Sequence, residues 1–300
     1  MTRLKIHIIC AIFGLLLSSG CAATKSVTPA GAYPPDGHTP YKHPENFSPA
    51  KHLVFIGLDG WGGAYVSKAN MPAVKRMMAN GASCPDMRCV MPSNSWPNWT
   101  SLFSGTPPEN RNSQNFPEIF TLVKNSGNEN TPVLFHEWGD LHEICPDEAA
   151  EKQSIASDLE SAQKIAAYIV ENKPVFIAAI FNEPDSIGHA KRWGSLAYYA
   201  KLAEMDVLVA VIEQAVMDSG FYDDTVFVLS ADHGGVLWGH GFNSSTQRKI
   251  PLIICGRGIK KGYEIPSRTS ICDIAPTMAA ILGLETPPEW TGRILGEIFE

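Results

Sequence analysis

The segment HLVFIGLD, residues 52–59, is the most informative part of the sequence for the architecture. It is a short, continuous apolar run that stops at a carboxylate, which is the pattern of a buried β-strand. Strands that are apolar on both faces are typical of parallel sheets, because helices cover both sides of such sheets. We therefore expect this segment to lie at the centre of a parallel sheet.

Apolar runs and helical patterns alternate along the rest of the chain. Further strands are predicted over 131–138, 174–181, 224–230 and 250–256. Helices are predicted over 71–81, over 147–172 with apolar spacing from Ile155 onward, over 196–220 and over 271–283. This alternation predicts a three-layer α/β/α sandwich with a mostly parallel central sheet, formed by one domain over residues 51–300.

Residues 1–21 have the pattern of an export signal. Arg3 and Lys5 precede an apolar run over 6–17, and small residues follow it. The run is shorter than a membrane span requires. The following residues, 22–50, are rich in Pro, Gly and polar side chains, so we expect a flexible tether.

The end of the signal resembles the lipobox of bacterial lipoproteins. The resemblance implies that Cys21 carries a lipid, although Ser18 stands where that motif usually has Leu. Ala22, rather than Asp, is typical of lipoproteins sent to the outer membrane. We therefore expect an exported lipoprotein that is anchored to the membrane, with the outer membrane favoured, and faces the periplasm or the cell surface. The alternative is that residues 1–21 are a plain secretory signal.

Charge and cysteine content exclude some classes of function. The formal net charge is −7 and no long basic run occurs, which argues against a nucleic-acid-binding surface. Of seven cysteines, Cys10 leaves with the signal and Cys21 is the lipid site, so at least one of the other five is unpaired. Cys84 and Cys89 are one candidate pair, which spacing alone does not establish. The absence of a CxxC pair argues against a thiolate zinc site.

Acidic and histidine side chains follow three of the predicted strands. The residues are Asp59 after the first strand, Asp185 and His189 after 174–181, and Asp232, His233 and His240 after 224–230. The carboxyl ends of parallel strands share one edge of a sheet, where ligands bind. Carboxylate and imidazole donors suit zinc.

A candidate nucleophile lies between these groups in the sequence. Ser95 is two residues before Pro97, and proline favours the first turn of a helix. Ser95 is therefore expected at a helix N-terminus, where the helix dipole favours an anion. Metal coordination can activate such a hydroxyl.

Five segments, in this order, resemble the alkaline phosphatase superfamily, and most closely its type I phosphodiesterase/nucleotide pyrophosphatase branch. They are GLDG (57–60), PSNSWPNW (92–99), DSIGH (185–189), ADHGG (231–235) and GHGF (239–242). The resemblance implies a metal-dependent hydrolase of phosphate esters or nucleotides that works through a phosphoseryl intermediate on Ser95. It also implies two divalent ions, most simply Zn²⁺.

The resemblance assigns ligands residue by residue. One zinc would be bound by Asp185, His189 and His240. The other would be bound by Asp59, Asp232 and His233, with Ser95 bridging toward it. Asn115 matches the asparagine that binds a substrate phosphoryl oxygen.

Departures from the pattern leave alternatives open. The diesterase branch usually has threonine where this chain has Ser95, which is more typical of phosphomonoesterases. Monoesterases often add basic groups, and only Arg111 and Lys191 lie near the motifs. Sulfatases need Cys or Ser in a C/S-x-P-x-R context, and Trp99 stands at the arginine position. A non-catalytic surface lipoprotein is the remaining alternative.

The spacing of the last motifs predicts an open site. Six residues separate His233 from His240, where relatives often insert a cap domain, so no large cap is expected. Specificity would then depend on loops 106–118 and 136–150. His136 and Trp138 are candidates for lining the substrate pocket, with a structural role as the alternative.

Overall fold

The computed structural model describes residues 41–111, 116–127, 131–266 and 268–300. The predicted signal, Cys21 and the candidate phosphate ligand Asn115 lie outside these ranges. Within them, none of the helices has the length and apolar character needed to cross a bilayer.

A single eight-stranded sheet forms the centre of the domain, in the order β4-β3-β5-β1-β6-β7-β2-β8. The strands are β1 (His52–Leu58), β2 (Gly81–Arg88), β3 (Val133–His136), β4 (Glu151–Ser154), β5 (Phe176–Phe181), β6 (Thr225–Ser230), β7 (Lys249–Gly256) and β8 (Tyr263–Glu264). Only β7 runs against the others among these strands. The predicted mostly parallel sheet is confirmed.

Eight α-helices flank the sheet in the described residues. They are α1 (Pro72–Ala79), α2 (Ser95–Ser104), α3 (Ile119–Asn125), α4 (Leu159–Asn172), α5 (Asp185–Lys191), α6 (Leu196–Asp218), α7 (Ser245–Arg248) and α8 (Ile274–Ile281). Helix α6 packs with α1, α4 and α5, whereas α8 packs with α2 and α3. These two groups form the outer layers of the predicted sandwich, and over the residues that the structure describes no cap domain interrupts them.

Strand β1 is buried along nearly its whole length, as the run HLVFIGL predicts. It pairs in parallel with β5 on one side and with β6 on the other. Phe55 of β1 meets Phe103 of α2 edge-on, with ring centroids 5.2 Å apart. The same contacts that bury the strand therefore fix helix α2, which begins at Ser95.

Some element boundaries differ from the prediction for identifiable reasons. The predicted helix over 147–172 contains strand β4, and its helical part starts only at Leu159, because Asp158 caps it by accepting from Ser161 N at 2.8 Å. Strand β2 was not predicted, since its polar sequence contains Pro85. An irregularity between Cys84 and Met87 accommodates that proline.

Ordered packing starts before the predicted end of the tether at residue 50. Tyr41, His43 and Phe47 form an aromatic cluster with Phe299, and His43 stacks on Phe47 with centroids 3.6 Å apart. Aromatic residues within a Pro-rich segment can bury enough surface to order it, which overall composition does not reveal.

The five described cysteines are all free and buried, so the candidate pair Cys84 and Cys89 is not joined. Burial raises the pKa of Cys89, Cys145, Cys255 and Cys272 to about 12. These thiols behave as small apolar core side chains.

Candidate metal centre

Three neighbouring strands deliver the predicted carboxylates to one edge of the sheet. The strands are β5, β1 and β6, in adjacent positions. Asp59 directly follows β1, Asp232 lies two residues after β6, and Asp185 begins α5 shortly after β5. The registers Leu58 to Phe181 and Gly57 to Ser230 bring these strand ends to the same level.

Helix α5 presents a carboxylate and an imidazole on one face. Asp185 and His189 are four residues apart, and residues at this spacing are neighbours on a helix surface. His189 Nε2 lies 3.4 Å from Asp185 Oδ2. The exposed His189 ring also meets the edge of Trp193, with centroids 4.9 Å apart.

The loop after β6 turns back and adds two further imidazoles. His233 is fully buried, and His240 stacks on it with ring centroids 3.8 Å apart. His240 Nε2 is 3.1 Å from His189 Nε2 and 3.7 Å from Asp185 Oδ1. The loop thereby joins the group on α5 to the group at β6.

A backbone carbonyl orients each of the three imidazole rings. Nδ1 of His189, His233 and His240 lies 2.9, 3.0 and 2.9 Å from the carbonyl oxygens of Trp238, Gly234 and Ser93. A carbonyl can only accept, so each Nδ1 carries the proton and each Nε2 keeps its lone pair. This arrangement is typical of histidines that bind metals through Nε2.

Ser95 is the first residue of α2, as predicted, and its hydroxyl faces the same cluster. Ser95 Oγ is 3.1 Å from His233 Nε2 and 3.4 Å from Asp59 Oδ1. The side chain of Asn98 fixes this helix start, since its Nδ2 donates to Asn94 O at 2.8 Å and its Oδ1 accepts from Val90 N at 2.7 Å. Asn98 was not identified from the sequence. The available signal was an asparagine inside a predicted helix, where this residue has a low propensity.

The carboxylates of the cluster lack the partners that buried charges need. Asp185 Oδ1 and Asp232 Oδ2 are buried and accept no hydrogen bond. In the described parts of the chain, no Lys or Arg forms an ion pair with Asp59, Asp185 or Asp232. An unpaired buried carboxylate is costly, so this donor set fits bound cations.

The pKa values point the same way. Burial, and then the charges of Asp59 and Glu183, raise the pKa of Asp185 to about 8. Burial also raises the pKa of Asp59 and of Asp232. Burial lowers the pKa of His233 to about 3 and that of His240 to about 4, which keeps both rings neutral and able to bind a metal. Cations would reverse the shifts of the carboxylates.

Two overlapping sets of ligand atoms could each hold an ion. One set is Asp185, His189 and His240, the same three residues that the resemblance assigns to one zinc. The other is Asp59, Asp185 and His233. Asp232, assigned to the second zinc, lies beside this set, with its Oδ2 3.3 Å from His233 Nε2.

The backbone of Gly60 connects Asp232 of the cluster with two aromatic side chains. Its N–H donates to Asp232 Oδ1 at 3.0 Å, and its carbonyl accepts from Trp193 Nε1 at 3.0 Å and from Tyr198 OH at 2.9 Å. On the other side, Trp99 Nε1 donates to Asp59 Oδ2 at 3.0 Å. The sequence showed Trp193 and Tyr198 only as aromatics near a helix start, and their contacts depend on the tertiary fold.

The remaining candidates have different surroundings. His136 is buried, with Nδ1 3.1 Å from Trp138 O, and belongs to neither of the two ligand sets. Trp138 meets the exposed Trp96, which follows Ser95 in the sequence, with ring centroids 6.3 Å apart. Arg111 has Cys272 and Glu109 as its electrostatic neighbours, and Lys191 is exposed at the end of α5.

The family models place this chain among metal-dependent enzymes. The model of type I phosphodiesterase/nucleotide pyrophosphatase matches residues 53–111. The model of the metalloenzyme superfamily matches residues 135–286, about half of the chain. Together the matched ranges contain all seven predicted site residues that the structure describes.

Curated relatives match over shorter segments. Arylsulfatase K of Mus musculus is 32% identical over 105 residues, which are 33% of this chain and 19% of that protein. The 2,3-bisphosphoglycerate-independent phosphoglycerate mutase of Methylobacillus flagellatus is 29% identical over 146 residues, 46% of this chain and 26% of that protein. The chain thus spans about a fifth to a quarter of the length of these relatives.

Solved structures share the fold over most of the chain. Murine ectonucleotide pyrophosphatase/phosphodiesterase 5, in complex with AMP, has a TM-score of 0.68 at 12% identity, covering 83% of this chain and 100% of that chain. BT1596, a 2-O GAG sulfatase, has a TM-score of 0.69 at 17% identity, covering 82% and 73%. At these identities the likeness shows the fold.

The raised carboxylate pKa values predict how the metal-free protein responds to pH. Between about pH 6.5 and 8, folded Asp185 holds a proton that the unfolded chain has already released, so the free energy of unfolding should fall as pH rises, by about 1.4 kcal/mol per pH unit for each proton. Urea unfolding of chelator-treated protein at pH 6.5 and 8 measures this. Asp185→Asn should remove much of the slope, and zinc should abolish it; a metal-free protein that becomes more stable over this interval would contradict the prediction.

Gly60 allows a second prediction, because its φ is +70° and an added Cβ would lie 2.8 Å from Asp185 Cα. Gly60→Ala should lower metal affinity by about tenfold to a hundredfold by displacing Asp185. Gly127→Ala is the matched control, since Gly127 has φ +83° and open space around it. Both variants should lose about 1 kcal/mol of stability from the left-handed backbone. Calorimetric zinc titration should separate them; equal zinc affinities would show that Gly60 does not position Asp185.

Proposed function

Since this chain belongs to the metalloenzyme superfamily of alkaline phosphatases and type I phosphodiesterases, we propose that it is a metal-dependent hydrolase of phosphate diesters with Ser95 as the nucleophile. The observation that carries the proposal is the position of the Ser95 hydroxyl. It lies 3.1 Å from His233 Nε2 and 3.4 Å from Asp59 Oδ1, at the edge of a cluster of carboxylates and imidazoles whose buried oxygens lack partners.

The ligand roles follow the two groups of side chains. Asp185, His189 and His240 would hold one divalent ion, and Asp59, Asp232 and His233 the other, with zinc favoured by the mixed oxygen and nitrogen donors. Such ions, when bound, neutralise the carboxylates, lower the pKa of the serine hydroxyl and stabilise charge on the phosphoryl oxygens.

The chain's own groups position the reacting atoms. The buried side chain of Asn98 fixes the start of α2 and so holds Ser95 Oγ at the helix N-terminus, where the dipole favours the negative charge that develops as the proton leaves. Attack by Oγ forms the O–P bond while the bond from phosphorus to the leaving alkoxide breaks; the serine proton ends on that alkoxide, giving an alcohol and a phosphodiester on Ser95. Water then cleaves that ester and restores Ser95.

Charge favours a diester over a monoester. A monoester dianion brings one more negative charge than a diester, and enzymes that bind it commonly offer Arg or Lys. Among the residues that the structure describes, no Lys or Arg, including Arg111 and Lys191, forms an ion pair with the carboxylates of the cluster. The Trp96–Trp138 pair next to Ser95 also suits a planar leaving group such as a nucleobase or an aryl ring.

A sulfatase is the second candidate, supported by the similarity to arylsulfatase K and to BT1596. Its requirement for an arginine four residues after the nucleophile conflicts with Trp99. That indole is fully buried and donates to Asp59 Oδ2. The position is therefore used to orient a carboxylate of the cluster, and we rank the diesterase first.

Export and attachment to a membrane form a separate proposal, which rests on the sequence. Small residues directly before Cys21, after a basic segment and an apolar run, support lipid attachment at that thiol. In a bacterial host, the full chain should incorporate labelled palmitate and sediment with membranes, whereas Cys21→Ser should do neither. Equal palmitate labelling of wild type and Cys21→Ser would show that Cys21 is not the site of lipid attachment.

The catalytic proposal is tested with nitrophenyl esters and zinc-loaded protein. We expect hydrolysis of methyl nitrophenyl phosphate with a larger kcat/KM than for nitrophenyl phosphate or nitrophenyl sulfate. Ser95→Ala should lower kcat by at least about a thousandfold while retaining zinc, because it removes the nucleophile and leaves the other ligands. Ser104→Ala, on the same helix but away from the cluster, is the control.

Two results would decide against the proposal. Sulfate ester turnover above diester turnover, together with formylglycine at position 95 by intact mass, would establish the sulfatase. Full activity of Ser95→Ala would show that the hydroxyl is not the nucleophile.

A further inference from the structure

The loop that carries His240 exposes large apolar side chains next to the metal ligands. Leu237 is 55% exposed, Trp238 59% and Phe242 73%. This loop is held to the site at both ends, since Trp238 O accepts from His189 Nδ1 at 2.9 Å and Phe242 O accepts from Ser93 Oγ at 3.0 Å. The exposed apolar surface is therefore part of the rim of the candidate site.

The tip of this loop has a backbone conformation that its sequence does not favour. Val236 and Gly239 exchange two backbone hydrogen bonds, of 3.0 and 3.2 Å, and so enclose a two-residue turn of Leu237 and Trp238. Leu237 has φ +55°, at the position where this kind of turn prefers glycine. A leucine here is less favourable than a residue that accepts positive φ.

The structural role of the tip does not require apolar side chains. It holds His189 through the carbonyl of Trp238, and it accepts from Trp193 N through the carbonyl of Leu237 at 2.8 Å. Any residue supplies those carbonyls. A strained, exposed leucine beside an exposed tryptophan therefore indicates a contact made by the side chains themselves.

We propose that Leu237 and Trp238 bind an apolar substituent of the substrate, so that the substrate class is a phosphate diester with an alkyl or acyl arm. This inference rests on the proposed diesterase function. The tip adjoins the phosphoryl-binding cluster through His189, whose Nε2 is 3.1 Å from that of His240. An ester arm that leaves phosphorus on the side of His189 would face this tip, because the carbonyl of Trp238 accepts from His189 Nδ1 at 2.9 Å.

The net charge of the chain favours this occupant over an anionic membrane surface. With a formal net charge of −7, the protein is repelled by anionic lipid headgroups, and the rim itself contains no described Lys or Arg between residues 234 and 242. An apolar arm on a single substrate molecule needs no such charge. Burial of each methylene against the tip would add affinity.

The test is a series of alkyl nitrophenyl phosphates, from methyl to octyl, hydrolysed by zinc-loaded protein below the micelle concentration. Wild-type kcat/KM should rise about twofold per methylene, a part of the roughly fourfold gain expected for complete burial. Leu237→Asn and Trp238→Ser should each lower the ratio of octyl to methyl kcat/KM by about fivefold or more, mainly through KM. Val170→Gln, a half-exposed apolar residue of α4, should keep the wild-type ratio.

The ratio of octyl to methyl kcat/KM distinguishes loss of a direct contact with the alkyl arm from a general distortion of the site. A distorted site lowers kcat/KM for both esters and leaves their ratio unchanged, so loss of activity without a change of ratio would overturn the proposal. Leu237→Asn should also unfold at the same or a higher temperature than wild type, because asparagine accepts positive φ.

The remaining outcomes are distinct. A flat series in active wild-type protein would overturn the substrate arm and leave the diesterase intact. If the series is flat and wild type binds phosphatidylcholine vesicles that Leu237→Asn does not bind, the tip is a membrane contact and the proposal is wrong. Failure of zinc-loaded protein to cleave any diester would overturn both this inference and the proposed function.

Discussion

Three carboxylates converge at the ends of three adjacent parallel strands, and no described cation of the chain neutralises them. Asp59, Asp185 and Asp232 share a volume from which water is largely excluded, and the charge of each raises the cost of ionising another. A fold stabilised only by its apolar core would avoid this arrangement, because it makes the sheet edge less stable at neutral pH. The arrangement becomes favourable when divalent ions are bound, so the architecture and the metal chemistry are linked.

The loop that leads from β6 to His240 is also shaped by the need to bring ligands to these carboxylates. His240 must reach the carboxylates within a few residues, and the loop achieves this by close backbone packing. A Cβ on Gly235 would lie 2.1 Å from Trp193 Cε2, and one on Gly234 would lie 2.5 Å from Thr246 O. Tyr65 OH donates to Gly235 O at 2.8 Å and holds the loop from the opposite side. The short connection that leaves the site without a cap therefore requires glycine where the chain passes the tryptophan.

Much of this could be predicted from the sequence, because the geometry of parallel sheets is regular. Apolar runs that end in Asp, Asp-x-x-x-His and Asp-His imply one edge and hence one cluster, and the structure brings Asp59, Asp185, His189, Asp232, His233 and His240 together there. The polar strand β2 and the edge strand β4 lacked a periodic apolar signal, so pattern reasoning missed them. Contacts such as Trp193 with Gly60 O, or Asn98 with Val90 N, join distant or irregular segments, and no local pattern encodes them.

Position 99 shows how a shared scaffold can be adapted to different esters. In this chain Trp99 lies in the core side of α2, and its indole both packs on Phe55 and orients Asp59 through Oδ2. An arginine there would bring a charge into a buried space and would compete for the carboxylate that the cations need. Tryptophan at this position thus stabilises the carboxylate cluster from within the core. Under the proposed function, selection of the substrate would fall to exposed or half-buried side chains outside the ligand set, such as Trp96, Trp138 and the Leu237–Trp238 turn.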